Sequence, residues 1–326
     1  MIRAMGSNAK LPRADRIVVA IGGNATHPEN IRGTTLEQEL VAARGARSLA
    51  PILMLERPLV LTHGNGPVVG KILLRQYHAR EHVPPMRLDV CVAHSQGGIA
   101  HLLMQGLEGE LARAESGRRV ACVLTRVVVD EDDPGFQNPS KPIGPFFSEA
   151  EARELERDLG WTMMEDAGRG WRYLVPSPRP RRILDLELIE SLAAQGIAVI
   201  AGGGGGIPVV ERADRSHAGV AAVIDKDLTS ALLANQLGFD TLMILTAVPR
   251  VAVDYGKPAQ RDLETVTTAE LSAFQAEGHF AKGSMGPKVD AALRFIAGGG
   301  RRAVIAHLDQ ALEGIEGRGG TQVLPG

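Results

Sequence analysis

The chain has 326 residues, of which 44% are hydrophobic and 23% are charged, and its formal net charge is −2 at pH 7. This composition is typical of a globular protein with one large domain or two ordinary ones. The near-neutral charge argues against tight binding to nucleic acid or to a membrane surface, so we expect small-molecule ligands.

The two cysteines, Cys91 and Cys122, both lie in apolar runs. This placement is typical of buried, reduced thiols rather than of a disulfide or a metal site. No apolar segment approaches the roughly 18 residues that span a bilayer, and residues 1–15 lack the apolar stretch of a signal peptide. We therefore expect a cytoplasmic protein with no membrane contact and a loose leader over residues 1–15.

Apolar runs that stop at turns predict the strands, and helical patterns separate them. The runs are 16–21, 58–62, 88–93, 197–201, 241–246 and 302–306. Helices are predicted through Lys71 and Gln76, after residues 95–97, through Leu188 and Leu192, from Asp227, and from Thr267, where Glu270 completes a capping box. The alternation predicts a parallel sheet covered by helices.

The pattern changes between about residues 126 and 180, where prolines exclude long regular elements. These are Pro134, Pro139, Pro142, Pro145, Pro176, Pro178 and Pro180. One helix is predicted there, because Ser148 and Glu151 have capping-box spacing and Gly160 follows as a stop. We interpret this segment as an insertion.

Five consecutive glycines at 202–206 follow the predicted strand 197–201. Consecutive glycines let backbone N–H groups approach a ligand that side chains would exclude, and loops at the carboxyl ends of parallel strands hold ligands. The alternative is a flexible linker, but linkers are usually Ser-rich and lack apolar flanks such as residues 207–210. We interpret the run as a phosphate-binding loop.

Residues 283–288 read Gly-Ser-Met-Gly-Pro-Lys and immediately precede a predicted helix. Free N–H donors at a helix start, the positive end of its dipole and the Lys288 ammonium together suit a phosphoryl group. An ordinary solvated helix start has the same spacing, so both interpretations stay open.

Two further lysines lie in distinctive surroundings. Lys226 is flanked by Asp225 and Asp227 at a helix start. The two carboxylates either hold a lysine or a metal ion beside phosphates or belong to a simple exposed charge cluster. Lys141 has prolines on both sides, which present it rigidly; it either reaches into a site or is an ordinary surface lysine.

Several catalytic and metal-site motifs do not occur in the sequence. No Cys-x-x-Cys pair occurs, and we predict no metal-binding residues. The Gly-x-Ser-x-Gly elbow, the Gly-x-Gly-x-x-Gly fingerprint and the Gly-x-x-x-x-Gly-Lys-Ser/Thr loop do not occur either. Hydrolase, Rossmann dehydrogenase and P-loop interpretations therefore lose their main support.

Taken together, these turns resemble the carbamate kinase family within the amino-acid kinase superfamily, over roughly residues 16–321. The most specific pieces are IGGNA (21–25), HGNGP (63–67), SQG (95–97), FQNPSKPIGP (136–145), GGGGIP (203–208), VIDKD (223–227) and GSMGPK (283–288). The resemblance implies a three-layer αβα sandwich around a mainly parallel sheet of about eight strands, with an inserted lid subdomain. It also implies a homodimer, Mg²⁺ and phosphoryl exchange between ATP and carbamate.

The resemblance further implies an N-terminal acceptor-binding lobe over 16–215, which contains the insert at about 126–180, and a C-terminal nucleotide-binding lobe over 216–326. The implied acceptor site comprises Gly22, Gly23, Asn24, Gly64, Asn65, Gly66, Gly203 and Gly204. The implied catalytic residues are Lys141, Lys226, Asp227 and Lys288. The implied nucleotide-binding residues are Asp225, Ala247, Tyr255, Gly283, Ser284, Met285 and Gly286.

The sequence departs from the family pattern at 245–252, where Leu-Thr-Asp-Val-Asp followed by an aromatic residue is common. Ala247 and Pro249 replace the two carboxylates, and Ala252 replaces the ring. Three hypotheses stay open: a carbamate kinase, a related kinase for another small carboxylate or carbamate-like acceptor, and a non-catalytic ligand-binding paralogue. The three lysines with Asp227 disfavour the last, while the substitutions at 247–252 keep it open.

Overall fold

The computed structural model describes residues 11–23, 27–28, 31–166, 168–281 and 283–326. Asn24 of the predicted acceptor site and most of the predicted leader lie outside these ranges. Within them, none of the helices combines the length and apolar character needed to span a bilayer. Cys91 and Cys122 are both free thiols.

An eight-stranded sheet forms the centre of the described chain. In spatial order its strands are β15 (Thr265–Thr267), β17 (Thr321–Leu324), β16 (Arg302–His307), β12 (Thr241–Thr246), β1 (Ile17–Ile21), β2 (Leu59–His63), β9 (Ala198–Ile200) and β3 (Val120–Cys122). Neighbouring strands run parallel except β16 and β17. The predicted mainly parallel sheet of about eight strands is confirmed.

Helices cover both faces of this sheet. They are α1 (Thr35–Leu53), α2 (Gly66–Ala79), α3 (Leu88–Arg113), α4 (Glu149–Leu159), α5 (Leu186–Ala194), α6 (Lys226–Gln236), α7 (Thr268–Ala276), α8 (Met285–Ala297) and α9 (Ala311–Ile315). Short 3₁₀ turns occur at Gly203–Gly205 and Leu308–Gln310. The predicted capping boxes at Ser148 and Thr267 are both confirmed, and Gly160 ends α4 in the left-handed conformation.

Alternate residues of each central strand enter two separate cores, because side chains along a strand point to opposite faces. Val18 and Ala20 of β1 pack in the core that includes α6 and α8. Ile17, Val19 and Ile21 pack in the core that includes α1 and α3. The strand is therefore buried along its whole length, and the architecture is the predicted three-layer αβα sandwich.

The strand predicted at 88–93 is wrong, because these residues form the first turns of helix α3. Buried side chains at Leu88, Cys91, Val92, Ser95 and Ile99 follow helical spacing and place one face of α3 against the protein. The β-branched and apolar run was a short-range signal that this long amphipathic helix overrides. The outermost strand on that side is instead β3, which we did not predict.

Two smaller sheets lie between residues 126 and 219. Strands β4 (Arg126–Val129), β8 (Pro180–Ile183), β10 (Ile207–Glu211) and β11 (His217–Gly219) form one, and β5 (Lys141–Phe147), β6 (Thr162–Glu165) and β7 (Trp171–Val175) form the other. Pro142 and Pro145 lie on β5, which is an edge strand, as proline within a sheet requires. The elements of this region are short, as its prolines predict, while the insert limits at 126 and 180 stay a prediction. Two further short strands, β13 (Ala252–Val253) and β14 (Arg261–Asp262), form a hairpin of their own.

The three-stranded sheet packs closely on helix α2. A Cβ atom added to Gly70 would lie 2.1 Å from the Gly144 Cα atom, so the Gly144 backbone leaves no room for a side chain at Gly70. Val69 and Ile143 share one small core beside this contact. The backbone of β5, whose first residue is Lys141, is therefore held against the body of the protein.

Candidate active site

Glycine turns follow the carboxyl ends of strands β1 and β2 at the same edge of the sheet. The Gly64 N–H donates to the Ile21 carbonyl at 3.1 Å. A Cβ atom on Gly64 would lie 2.9 Å from the Gly23 Cα atom, and one on Gly22 would lie 3.1 Å from the Leu245 carbonyl oxygen. The structure thus brings together the predicted acceptor residues Gly22, Gly23 and Gly64, at the edge where parallel sheets bind ligands.

The glycine run 202–206 is buried and packs on the β2 turn. A Cβ atom on Gly203 would lie 2.3 Å from His63 Nε2, and one on Gly204 would lie 2.1 Å from Asn65 Nδ2. Gly204 also has a φ of +65°, a conformation that favours glycine. The loop approaches His63 and Asn65 so closely that positions 203 and 204 require glycine. A flexible linker is therefore excluded.

Two residues of helix α3 hold these loops in place. The Asn65 amide donates to Ser95 Oγ at 2.8 Å, and the Gln96 amide donates to the Gly203 carbonyl at 2.8 Å. The Gln96 Oε1 atom accepts the Thr125 N–H at 3.0 Å, and Thr125 Oγ1 accepts the Gly202 N–H at 2.8 Å. The family resemblance assigns no role to Ser95 and Gln96; their sequence signal is two adjacent polar residues on the apolar face of a helix.

Four predicted residues meet at the start of helix α6. Asp225 is the N-cap, and its Oδ1 atom accepts the Asp227 N–H at 2.9 Å. Asp227 is buried; one of its carboxylate oxygens accepts the Lys226 ammonium and the other accepts the Lys288 ammonium at 3.0 Å. An ordinary exposed charge cluster is therefore excluded for 225–227.

Lys141 joins the same group from strand β5. Its Nζ atom bonds Asp225 Oδ2 at 2.5 Å. We call the five residues the lysine cluster: Lys141, Asp225, Lys226, Asp227 and Lys288. The structure thereby brings together all four predicted catalytic residues, and helix α6 is tied to the glycine run because Thr229 Oγ1 donates to the Gly205 carbonyl at 2.8 Å.

Burial and pairing shift the titration of this cluster. Burial alone would raise the pKa of Asp227, but the Lys226 and Lys288 ammonium groups hold it well below its usual range. Burial lowers the pKa of Lys226, an effect that Asp227 only partly offsets. For Lys288, burial acts to lower the pKa, but the attraction of Asp227 outweighs it and raises the pKa. Three ammonium groups against two carboxylates leave a positive site suited to an anion.

The predicted nucleotide-binding residues divide into two groups. Gly283, Ser284, Met285 and Gly286 lead into helix α8, which carries Lys288 into the lysine cluster. Ala247 and Tyr255 are exposed beyond strands β12 and β13. Within the described ranges neither of these two bonds a member of the cluster.

The part of the chain that the structure describes has no group of three or more His, Cys, Asp or Glu residues able to hold a metal ion. Both oxygens of Asp225 and of Asp227 already accept ammonium or backbone N–H donors. These residues fit a magnesium ion that binds mainly to nucleotide phosphates, with few protein ligands, as Mg²⁺ commonly does.

Residues 15–307 match the model of the amino acid kinase family. The carbamate kinase of Thermococcus kodakarensis is 47% identical over 312 residues, which cover 95% of this chain and 99% of that protein. The chain belongs to the carbamate kinase family. It is therefore a kinase, a phosphotransferase.

Solved structures of a carbamate kinase have the same fold as this chain. The carbamate kinase of Giardia lamblia bound to citric acid superposes with a TM-score of 0.91 at 38% identity, covering 96% of this chain and 99% of that one. The same enzyme bound to AMP-PNP gives a TM-score of 0.87 at 39% identity, with the same coverage.

Proposed function

We propose that this protein is a carbamate kinase, which transfers a phosphoryl group reversibly between ATP and carbamate to give ADP and carbamoyl phosphate. The observation that carries the proposal is the buried carboxylate of Asp227, which bonds the ammonium groups of Lys226 and Lys288. These charges lie beside the glycine run, to which Thr229 ties helix α6. The 47% identity to a carbamate kinase over 95% of the chain supports the choice of acceptor.

The chemistry needs charge stabilisation rather than a covalent nucleophile. During phosphoryl transfer, negative charge spreads over the equatorial oxygens, and fixed cations and N–H groups lower the barrier. Lys226 and Lys288 would bind these oxygens. Asp227 would hold both ammonium groups at a fixed separation, so little reorganisation accompanies the transfer.

The glycine turns would bind the acceptor end. The absence of side chains at Gly23 and Gly64 lets these two turns approach each other, and Gly22 and Gly66 keep the adjoining edge clear of side chains. Asn65 and the glycine run, held by Ser95 and Gln96, would fix the geometry of this site. The chemistry that a magnesium ion would supply here is neutralisation of charge on the nucleotide phosphates.

We further propose that the insert is a lid with Lys141 at its tip, and that it excludes water from the reaction. The contact between Lys141 and Asp225 supports this role. Both tryptophans of the chain, Trp161 and Trp171, lie in the insert, so fluorescence excited selectively at tryptophan reports on it alone. Carbamoyl phosphate with Mg-ADP should change this emission and slow hydrogen exchange in the segment; no change in either would contradict the lid.

A homodimer is also part of the proposal. Helices α1 and α3 pack together on one face of the sheet, and exposed apolar side chains of Leu36, Leu40 and Val90 lie on them. Light scattering at micromolar concentration should give twice the 34.7 kDa chain mass. A place in arginine metabolism is proposed from family membership alone, and a cytoplasmic location from the two free thiols.

The deciding experiment is a coupled assay of ATP formation from ADP and carbamoyl phosphate. Robust turnover that Lys288→Met lowers by at least about 10²-fold would support the proposal. The replaced residues Ala247, Pro249 and Ala252 keep the non-catalytic paralogue open. The runner-up is a kinase of another small carboxylate or carbamate-like acceptor. Turnover with acetyl phosphate that exceeds turnover with carbamoyl phosphate would favour it, and nucleotide binding without any turnover would favour the non-catalytic paralogue.

A further inference from the structure

The two carboxylate oxygens of Asp225 have different partners. Oδ1 caps helix α6 by accepting the backbone N–H groups of Asp227 at 2.9 Å and Leu228 at 3.4 Å. Oδ2 accepts the ammonium of Lys141, which lies 84 residues earlier in the chain. One side chain thus joins the start of helix α6 to the first residue of strand β5.

The backbone at Lys141 is fixed, but its ammonium depends on this one contact. Strand β5 pairs with β7 so that Lys141 lies opposite Val175, and the Ser140 N–H donates to the Val175 carbonyl at 3.2 Å. Within the described ranges, the bond to Asp225 is the one hydrogen bond that the Lys141 ammonium makes. A free lysine side chain samples many rotamers, so the contact selects its direction.

Repulsion among the ammonium groups of the lysine cluster makes the position of Lys141 depend more strongly on Asp225. Lys226 and Lys288 share the single carboxylate of Asp227, so without Asp225 three ammonium groups would face one negative charge. Like charges at short range repel in a partly buried site, and Lys141 would turn toward solvent. The Lys141 and Asp225 side chains are only 26% and 16% exposed, which limits screening of their attraction.

We propose that Asp225 is a positioning residue that holds the Lys141 ammonium in the phosphoryl site, and that it acts on the reaction only through Lys141. This assignment replaces direct nucleotide binding by Asp225. It rests on the proposed function, because it assigns Lys141 a role in phosphoryl transfer.

One substitution can break the contact between Asp225 and Lys141 while keeping the cap of helix α6. Asparagine caps helices as well as aspartate does, so its side-chain oxygen keeps the Oδ1 contacts to helix α6, while an NH₂ group replaces the charged Oδ2 acceptor that binds Lys141. Asp185 gives a matched control: it precedes helix α5, is 17% exposed and bonds Arg126 at 2.8 Å outside the lysine cluster. Asp185→Asn should leave the kinetic constants unchanged.

The test is a double-mutant cycle on ATP formation with Asp225→Asn, Lys141→Met and the double variant. A hydrogen bond to a charged group supports a loss of roughly 10-fold to 100-fold in kcat for Asp225→Asn, with the KM for ADP little changed. In the Lys141→Met background the same change should cause no further loss. Additive losses, or a raised KM for ADP in both backgrounds, would overturn the proposal in favour of direct nucleotide contact.

Two outcomes separate this inference from the proposed function. If wild-type turnover is normal and Lys141→Met is fully active, the positioning role is overturned while the kinase assignment stands. If the wild type shows no turnover, the accessibility of the Lys141 ammonium decides the structural claim. Faster acetylation of Lys141 in Asp225→Asn than in the wild type and in Asp185→Asn supports it, and an unchanged rate overturns it.

Discussion

Two lysine–aspartate pairs of the same length lie in very different surroundings. Lys288 bonds Asp227 at 3.0 Å with side chains only 15% and 4% exposed, whereas Lys257 bonds Asp254 at 3.0 Å with side chains 69% and 30% exposed. The first belongs to the lysine cluster, and the second to the nucleotide edge, by which we mean residues 247–257. Exposed pairs are screened by water and contribute little, while a buried pair keeps its field but leaves a costly charge when broken.

The two regions differ in how their side chains are held. The lysine cluster is interlocked with the glycine run and helix α3 by buried hydrogen bonds. The side-chain ion pairs of the nucleotide edge lie near water, such as the pair between Arg250 and Glu264. We therefore expect substitutions in the first region to have large effects and equivalent substitutions in the second to have small ones.

The largest effect is expected for Lys288→Met. Removing one preorganised cation from the transferring group should lower kcat by about 10²-fold to 10³-fold, by analogy with the loss of an oxyanion donor. Fold stability should change little, because Asp227 retains Lys226 as its partner. Steady-state kinetics with a thermal unfolding curve measures both.

The matched change at the nucleotide edge is Lys257→Met. Its exposed pair should contribute at most about 1 kcal/mol, so kcat should stay within about twofold of wild type. Equal losses in the two variants would show that burial does not distinguish the two regions.

The next effect concerns two glycines with similar backbone conformations. Gly204 and Gly256 have φ values of +65° and +76°, so alanine strains both, but only at Gly204 would the new Cβ atom collide, at 2.1 Å from Asn65 Nδ2. Gly204→Ala should lower the free energy of unfolding by about 1–3 kcal/mol more than Gly256→Ala, because overpacking adds to the shared strain. Chemical denaturation of both variants measures the difference, and equal losses would mean that the glycine run is not tightly packed in solution.

A pH dependence should also separate the buried site from the surface. Burial lowers the pKa of His63 from 6.5 to about 4, and that of His27 likewise. The unfolded chain therefore binds protons more readily between these values, so stability is complete above pH 6.5 and falls as the pH drops toward 4. For His63 alone the loss between pH 7 and pH 5 should be about 2 kcal/mol.

The check is the free energy of unfolding at pH 7 and at pH 5. His63→Gln should reduce the difference between the two, since glutamine does not titrate. Thr62→Val removes a buried hydrogen bond from the same strand without removing a titratable group, and should lower stability equally at both pH values. A pH difference unchanged in His63→Gln would exclude His63 as its source.

The central strands and the motifs were predictable because their signals are local. Runs such as 241–246 are continuous and apolar, as strands buried on both faces are. The lysines stood out by neighbours close in sequence: Lys226 between two aspartates, Lys288 after two glycines, and Lys141 among prolines. Their meeting at one place followed from family resemblance rather than from spacing.

What the sequence did not reveal depends on long-range packing. Residues 88–93 have the composition of a strand, and only their burial against the rest of the protein makes them helical. Likewise, the Gln96 contact to Gly203 joins residues 107 positions apart, and the Asp225 contact to Lys141 joins residues 84 apart. No short window of sequence contains both partners of such a bond.

The last effect is a gain in affinity at the nucleotide edge itself. Ala247 is exposed after strand β12, so an aspartate there meets no steric obstacle and restores a carboxylate that is common in the family. If that carboxylate accepts a hydrogen bond from the nucleotide, Ala247→Asp should tighten binding of Mg-ADP up to about tenfold, or about 1.4 kcal/mol. The gain is bounded because the site is open to water. Arg250 is already paired with Glu264, so it does not supply the missing contact to the nucleotide.

Ala259→Asp, an exposed alanine in the neighbouring loop, adds the same charge and should leave affinity unchanged. Titration calorimetry of both variants with ADP and GDP separates a specific contact from a general charge effect. Unchanged ADP affinity in Ala247→Asp, together with tight and adenine-selective binding by the wild type, would show that the edge is already complete and that its exposure does not weaken it.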